Sequence, residues 1–283
     1  MKTLQGPYQI GQLCAAFGVS RSGYHRWRSA QGSARAREDL LLGAELQRLH
    51  AESRGTYGRP RLTAALRRAG RHHSPKRVGR LMRALGLSGV RRGRFHPQTT
   101  QSTHRLRRAP NRLLKAAPPA AVDQVWVADI TFVPTQEGWL YVAAVLDRHS
   151  RLVLGLACGA RLDTSLPAAA LRQALARRGG ALPAGLIHHS DQGLQYASDC
   201  YRALLEAHGL LASMSRKANC YDNAHMESFW GTLKAEALAG HGFTTRDQAR
   251  GAIFSYVETF YNPKRLHSAL GFLSPLDFEN LHH

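Results

Sequence analysis

The stretch QVWVADITFVPTQEGWLYVAAVLDRHSRLVLGLACG, residues 124–159, holds three runs of β-branched and aromatic residues separated by turn residues. Such runs, bounded by Gln-Glu-Gly and by Asp-Arg-His-Ser, predict an antiparallel meander of three strands. Asp129 lies inside the first run, between Ala128 and Ile130. A lone carboxylate in an apolar strand is costly to bury without a partner, so other groups are expected to meet it there.

Downstream the pattern alternates. SLPAAALRQALARRG predicts a helix that Asp163 or Thr164 can cap, GLIHHSD a short strand, ASDCYRALLEAHG a helix stopped by Gly209, and LLASMS another strand. A helix carrying Glu227 follows, then the amphipathic segment TRDQARGAIFSYVETFYN, which stops at Pro263, and a basic tail segment, KRLHSALGFLSPLDF. The order β-β-β-α-β-α-β-α describes a mixed-sheet α/β domain. Asp191 ends its strand and enters a loop, where α/β sheets tend to place functional groups. Thirty-five residues separate it from Glu227. Asn223 and Lys234 flank Glu227 at i−4 and i+7, so a helix sets an amide, a carboxylate and an ammonium along one face. Lys234 then lies roughly 10 Å beyond Glu227, suited to a phosphate beside the site. Asp129, Asp191 and Glu227, from two strands and one helix, can form an oxygen cage for two hard divalent cations.

Upstream the composition changes. The 283 residues carry 39 Lys and Arg against 19 Asp and Glu, a net charge of +20. Between Glu52 and Asp123 no acid occurs, while 18 Lys and Arg lie from Arg54 to Lys115. That segregation points to a polyanionic partner. IGQLCAAFGVSRSGYHRW has a helix near residues 10–16, a turn at Phe17-Gly18-Val19 and a second helix capped by Ser20, the pattern of a helix-turn-helix. A second helical pair follows. RPRLTAALRRAG stops at Gly70, and SPKRVGRLMRALGL has Ser74 as N-cap and Pro75 at its first position. In the latter, Val78, Leu81, Met82 and Leu85 form the apolar stripe and leave Lys76, Arg77, Arg80 and Arg83 for DNA. Residues 93–122, rich in Pro, Ser, Thr and Arg, predict a basic linker with at most a short helix near 110–115. The expected organisation is a helical DNA-binding region over 1–92, the linker, and a catalytic core over 123–283. Four scattered cysteines without a CxxC pair argue against a disulfide framework or zinc ribbon, and no run approaches 18 apolar residues, so a cytoplasmic protein without membrane contact is expected.

WVADITFVPT, GWLYVAAVLDRHSR, HSDQGLQY, SMSRKANCYDNAHMESFWGTLKAE and YNPKRLHSALGFLSP together resemble the second open-reading-frame (OrfB) transposases of bacterial insertion sequences, relatives of retroviral integrases. GVSRSGYHRW and GTYGRPRLTAALRRAG are similar to that family's helical DNA-binding region. The resemblance implies a ribonuclease-H-like core with Asp129, Asp191 and Glu227 as a DDE metal triad and Lys234 as a DNA contact. It implies Mg²⁺, with Mn²⁺ able to substitute, and two ions. It further implies DNA strand cleavage and 3′-hydroxyl strand transfer at terminal repeats and target DNA, through a circular intermediate. The implied partners are further copies of the chain on DNA and an upstream OrfA-type product or frameshift fusion, with the bacterial nucleoid as the place of action. The sequence departs from the family at Leu194, often Ser, and at Ala218, usually Gly.

Other readings compete. His188 and His189 suggest zinc, but successive strand residues face opposite sides and cannot comfortably hold one ion. His189 can serve the site or simply pack. Trp230 is either core or a platform for a DNA base. A DNA-binding regulator and a plain nuclease are the alternatives to a transposase. The segregated charge makes DNA binding steeply salt-dependent: log K should fall against log salt by about 0.9 for each phosphate neutralised. Equilibrium binding of the full chain across salt concentrations checks this, and a flat response contradicts it.

Overall fold

The computed structural model describes residues 8–29, 33–91, 108–114, 116–180, 182–216 and 223–282. The chain divides into two compact units, Met1–Gly89 and Val90–His283. Among the described residues no helix is long and apolar enough to cross a membrane.

The first unit is helical: α1 (Ile10–Ala16), α2 (Arg21–Ser29), α3 (Ala34–Glu52), α4 (Arg59–Arg68) and α5 (Pro75–Ala84). Gly18 turns between α1 and α2 at φ +62°, and the Ser20 hydroxyl accepts from Gly23 N, as the helix-turn-helix pattern requires. Ser74 likewise accepts from Arg77 N ahead of Pro75. Helix α3, the longest described in this unit, is not apparent from the residue order. Its apolar residues do not trace one stripe: Leu42 and Leu46 are fully buried, while Leu40 and Leu41 are largely exposed. The buried pair joins Leu62, Leu66 and Val78, equally inaccessible, as α3, α4 and α5 pack together.

The second unit is a five-stranded mixed sheet: β1 (Val125–Thr135), β2 (Gly138–Asp147), β3 (Val153–Gly159), β4 (Ile187–Ser190) and β5 (Leu211–Met214), in the order β3-β2-β1-β4-β5. β1, β2 and β3 are the expected antiparallel meander, and β4 and β5 extend it in parallel from β1. Its helices are α6 (Ser165–Arg178), α7 (Leu194–Ala197), α8 (Asp199–Ala207), α9 (Ala224–Leu233), α10 (Arg246–Tyr256) and α11 (Pro275–His282). Strand alternation sends Trp126, Ala128 and Ile130 into a core with Leu166, Leu171, Tyr201 and Leu205 of α6 and α8. Asp129 turns to the other face, where α9 lies. Gly155 lets α6 approach β3, because a Cβ there would sit 1.9 Å from the Ala170 carbonyl oxygen.

Two segments differ from expectation. The end of the linker is docked: Arg112 N donates to Ser213 Oγ at 3.0 Å and its Nε to Ala212 O, beside β5. The earlier linker residues, 92–107, lie outside the described set, as do Ala218 and Cys220. The basic tail is part of the core. Arg265, 2% exposed, grips Glu236 through two bonds of 2.7 Å, and Tyr256 OH donates to the same carboxylate. Asn262 bonds both backbone groups of Val153 at 3.0 Å, closing the free edge of β3 as a further strand would. Glu279 of α11 takes a bidentate bond from Arg178, whose Nε also holds Asp123. Helical periodicity shows no sign of these long-range pairs, which form only once the chain has folded back.

Removing one partner of a buried pair leaves a naked charge, so Arg265→Ala should lower the unfolding free energy by about 3–5 kcal/mol. Arg265→Met combined with Glu236→Leu should recover part of it. Urea unfolding midpoints check both, and a negligible loss for Arg265→Ala would show that the pair contributes little.

Candidate active site

Parallel pairing of β1 with β4 matches Val127 to His189. Two residues further along each segment come Asp129 and Asp191, close enough for the Asp191 charge to act on Asp129. Asp191 has just left β4, and its Oδ1 accepts from Gly193 N at 2.9 Å, fixing the turn into α7. A side chain at Gly193 would begin 2.9 Å from that same oxygen, so glycine leaves the carboxylate room. Gln192 ties the turn to β5 through Ser215 O.

Glu227 stands in the first turn of α9, partly exposed. One turn on, Trp230 is buried and donates from Nε1 to Asp129 Oδ2 at 3.0 Å. Lys234 begins a π-helical turn, Lys234–Leu238, that extends α9. Its ammonium lies 5.6 Å from the centre of the Phe132 ring and within reach of the Asp129 charge. Glu227, Trp230 and Lys234, at i, i+3 and i+7, therefore share the helix face turned to β1.

The electrostatics centre on Asp129. Burial above all, then the charge of Asp191 and more weakly that of Glu227, push its carboxyl up to about 8, although Ile130 N and the Trp230 indole favour the ionised form. Burial also raises Glu227 and lowers Lys234. The Tyr196 hydroxyl is buried without a hydrogen-bond partner and feels both aspartates. An acid crowded by acids and an orphaned hydroxyl beside it are what a hard cation with its water would satisfy, and the donor set, all oxygen, suits Mg²⁺ or Mn²⁺. Among the described residues no group of three or more His, Cys, Asp or Glu stands close enough to hold a metal ion. Asp129 feels the charge of Asp191 more strongly than that of Glu227.

Other candidate residues are placed differently. Asn223 is buried and donates to Ala128 O at 3.2 Å, so its amide tethers α9 to β1. His188 bonds Tyr201 OH and is lowered to about 3 by burial, and His189 bonds Ser213 Oγ, so both histidines are packed below the site. In the first unit Arg77 pairs with Asp39 at 2.7 Å and Glu38 at 3.1 Å, and Arg80 with Asp39. These two arginines clamp α5 to α3, while Lys76 and Arg83 are exposed. Neither the bond of Trp230 to Asp129 nor the buried hydroxyl of Tyr196 is apparent from residue order alone. The spacing of Trp230 from Glu227 was the available signal for the first; the second depends on how α7 folds back after Asp191.

Residues 119–220 and 208–275 match integrase core domain models, and residues 36–95, spanning α3 to α5, match an HTH-like domain. The chain is 46% identical over 271 residues to the insertion element IS600 uncharacterized 31 kDa protein of Shigella sonnei, covering 96% of this chain and 98% of that one. It is 38% identical over 278 residues to transposase InsF for insertion sequence IS3A of Escherichia coli strain K12, covering 98% and 96%. Among solved structures, the HTLV-2 integrase catalytic core domain in complex with magnesium, in its trimeric form, overlays 56% of this chain and 96% of its own at 16% identity and a TM-score of 0.44. The fold is the ribonuclease-H-like integrase core, preceded by a helical HTH-like region. The chain belongs to the family of insertion-sequence transposases that carry this core.

Because Asp129 is raised, the folded protein holds an extra proton between pH 3.8 and about 8. Its contribution to stability is fully present below the lower value and is lost as pH rises through the upper one. Metal-free protein should therefore melt lower at pH 8 than at pH 5, Mg²⁺ should restore the difference, and Asp129→Asn should flatten it. Thermal unfolding at both pH values checks this, and an unchanged pH slope in Asp129→Asn contradicts it.

Proposed function

We propose that the chain cleaves DNA at the ends of an insertion sequence and joins the freed ends to target DNA, with Asp129, Asp191 and Glu227 as its DDE triad. The observation that supports this reading is the buried Asp129 carboxyl on which the charges of both Asp191 and Glu227 act. Two divalent ions, Mg²⁺ or in its place Mn²⁺, would supply the activation of water and the stabilisation of the leaving oxygen at such a site.

The chain's own residues have separate tasks. Asp129 offers carboxylate oxygens from β1, Asp191 from the turn that follows β4, and Glu227 from α9. Trp230 holds Asp129 in one orientation through its indole N–H. Lys234 faces the phosphate next to the scissile bond, which fits an ammonium half-buried beside Phe132. Water adds across the phosphodiester to leave a 3′-hydroxyl and a 5′-phosphate. The 3′-hydroxyl then loses its proton, attacks a second phosphodiester and expels that strand's 3′-oxygen, so two phosphoryl transfers suffice without a covalent enzyme intermediate.

Exposed Lys76 and Arg83 of the HTH-like region fit a role in gripping the phosphate backbone, and Arg77 and Arg80 keep part of their charge in ion pairs. Asn223 supports the site from within. We further propose that the chain acts as a homo-oligomer on paired ends and with an OrfA-type product, since it carries the catalytic core on a helical unit of modest size.

Asp129→Asn, Asp191→Asn and Glu227→Gln should each reduce cleavage and joining of labelled element-end DNA by several orders of magnitude while DNA binding stays close to wild type. Full joining by any one of them removes it from the triad. Lys234→Glu should weaken end binding and joining and leave metal binding intact; wild-type joining at limiting DNA would refute its positioning role.

A further inference from the structure

Near the carboxylates a groove of about 380 Å³ opens at the β1–β2 hairpin. Phe132 and Trp139 form one wall, and Leu238, His241 and Phe243 line the other side. Lys234 stands at its edge, and apart from this ammonium and the His241 ring the lining is apolar. Along β1, Phe132 is three residues from Asp129, about 10 Å. Strand alternation turns Phe132 to the face opposite Asp129, and Lys234, whose ammonium lies over the Phe132 ring and feels the Asp129 charge, joins the groove to the carboxylates.

The walls are fixed before anything binds. Gln136 N donates to Phe243 O at 3.0 Å, and Arg246 donates from Nε to Trp139 O at 3.0 Å and from Nη2 to Glu137 O at 2.6 Å. Trp139 is held edge-on by Phe132, with ring centres 5.0 Å apart and planes at 80°, yet it remains 48% exposed. His241 and Phe243 lie nearly parallel, at 10°. Lys234 and Leu238, the two ends of the π-helical turn, both line the groove, and such irregularities recur at functional sites.

An exposed indole face on a rigid hairpin costs solvation unless a flat apolar partner covers it. The neighbouring ammonium selects a partner that carries an anion. An unstacked nucleotide supplies both, a neutral ring for the aromatic walls and a phosphate for Lys234. A base pair within a duplex has its faces covered and cannot enter so small a groove. We propose that this groove binds a single unstacked nucleobase of the DNA end, with Lys234 at the adjoining phosphate. The proposal rests on the DNA-processing reading above and adds to it a site for a frayed or single-stranded terminus.

Binding of the full chain to a fluorescein-labelled duplex with a three-thymidine single-stranded overhang, against the same duplex with blunt ends, tests it. Measurements in EDTA prevent cleavage. Wild type should favour the overhang by roughly five-fold or more, the lower end of base–aromatic stacking. Trp139→Ala should lose that preference while binding blunt duplex within about two-fold of wild type, and Trp139→Phe, which keeps an aromatic face, should restore most of it. Trp139 is half-exposed, so these variants should fold, and circular dichroism checks that they do. Equal wild-type affinities for the two duplexes, or an undiminished preference in Trp139→Ala, would overturn the groove while leaving DNA binding intact. Failure of wild type to bind either duplex would instead overturn the DNA-processing reading and the groove with it. A Trp139→Ala variant that changes sedimentation from oligomer to monomer without changing overhang preference would make the groove a contact between copies and overturn the proposal.

Discussion

A carboxylate in the middle of an apolar strand governs the second unit. Other buried acids there have found compensation: Asp123 and Glu279 share Arg178, Glu236 holds Arg265 and Tyr256, and Asp147 accepts backbone N–H groups from Asp123, His149 and Ser150. Asp129 has an indole N–H and a more distant ammonium, and its nearest charged neighbours are acids. A fold that neutralises its other buried acids but brings like charges together at one place stores an unfavourable interaction there. A cation bound there would convert that cost into binding energy, and the parallel pairing of β4 with β1 brings the segment that leads into Asp191 alongside β1.

Much of this was legible in residue order. The meander, the caps at Ser20 and Ser74, the stops at Gly70 and Gly209 and the strand holding His188 and His189 all follow from local chemistry, and the structure has them. Asp129 was conspicuous as a charge inside an apolar strand, Asp191 by its place where a strand enters a loop, and Glu227 by the amide and ammonium that share its helix face. What escaped was non-local. Arg265 looked like a tail arginine until the chain folded back on Glu236, and the ion pairs of Arg77 and Arg80 with Asp39 depend on how α3 lies against α5. Helix α3 itself was hidden by its exposed leucines. Trp230 seemed core or platform, and its bond to Asp129 depends on the docking of α9 onto β1.

The basic first unit carries a different lesson about charge. A net excess of Lys and Arg identifies a polyanionic partner, but it does not say which cations face it. The Asp39 carboxyl, held below its ordinary range by Arg80 and Arg77, draws those two arginines to α3, while the Arg80 side chain stays 49% exposed. Lys76 and Arg83 keep the exposure that a phosphate contact needs.

The central claim is that Asp129 and Asp191 share a divalent cation which Glu227 closes over. Anomalous diffraction from crystals of the protein grown with Mn²⁺ tests it most directly. The account predicts manganese peaks bounded by carboxylate oxygens of Asp129 and Asp191, with Glu227 turned toward them and the peaks lost in Asp129→Asn. Manganese bound elsewhere, with the two aspartates free of metal in crystals of joining-competent protein, would contradict it.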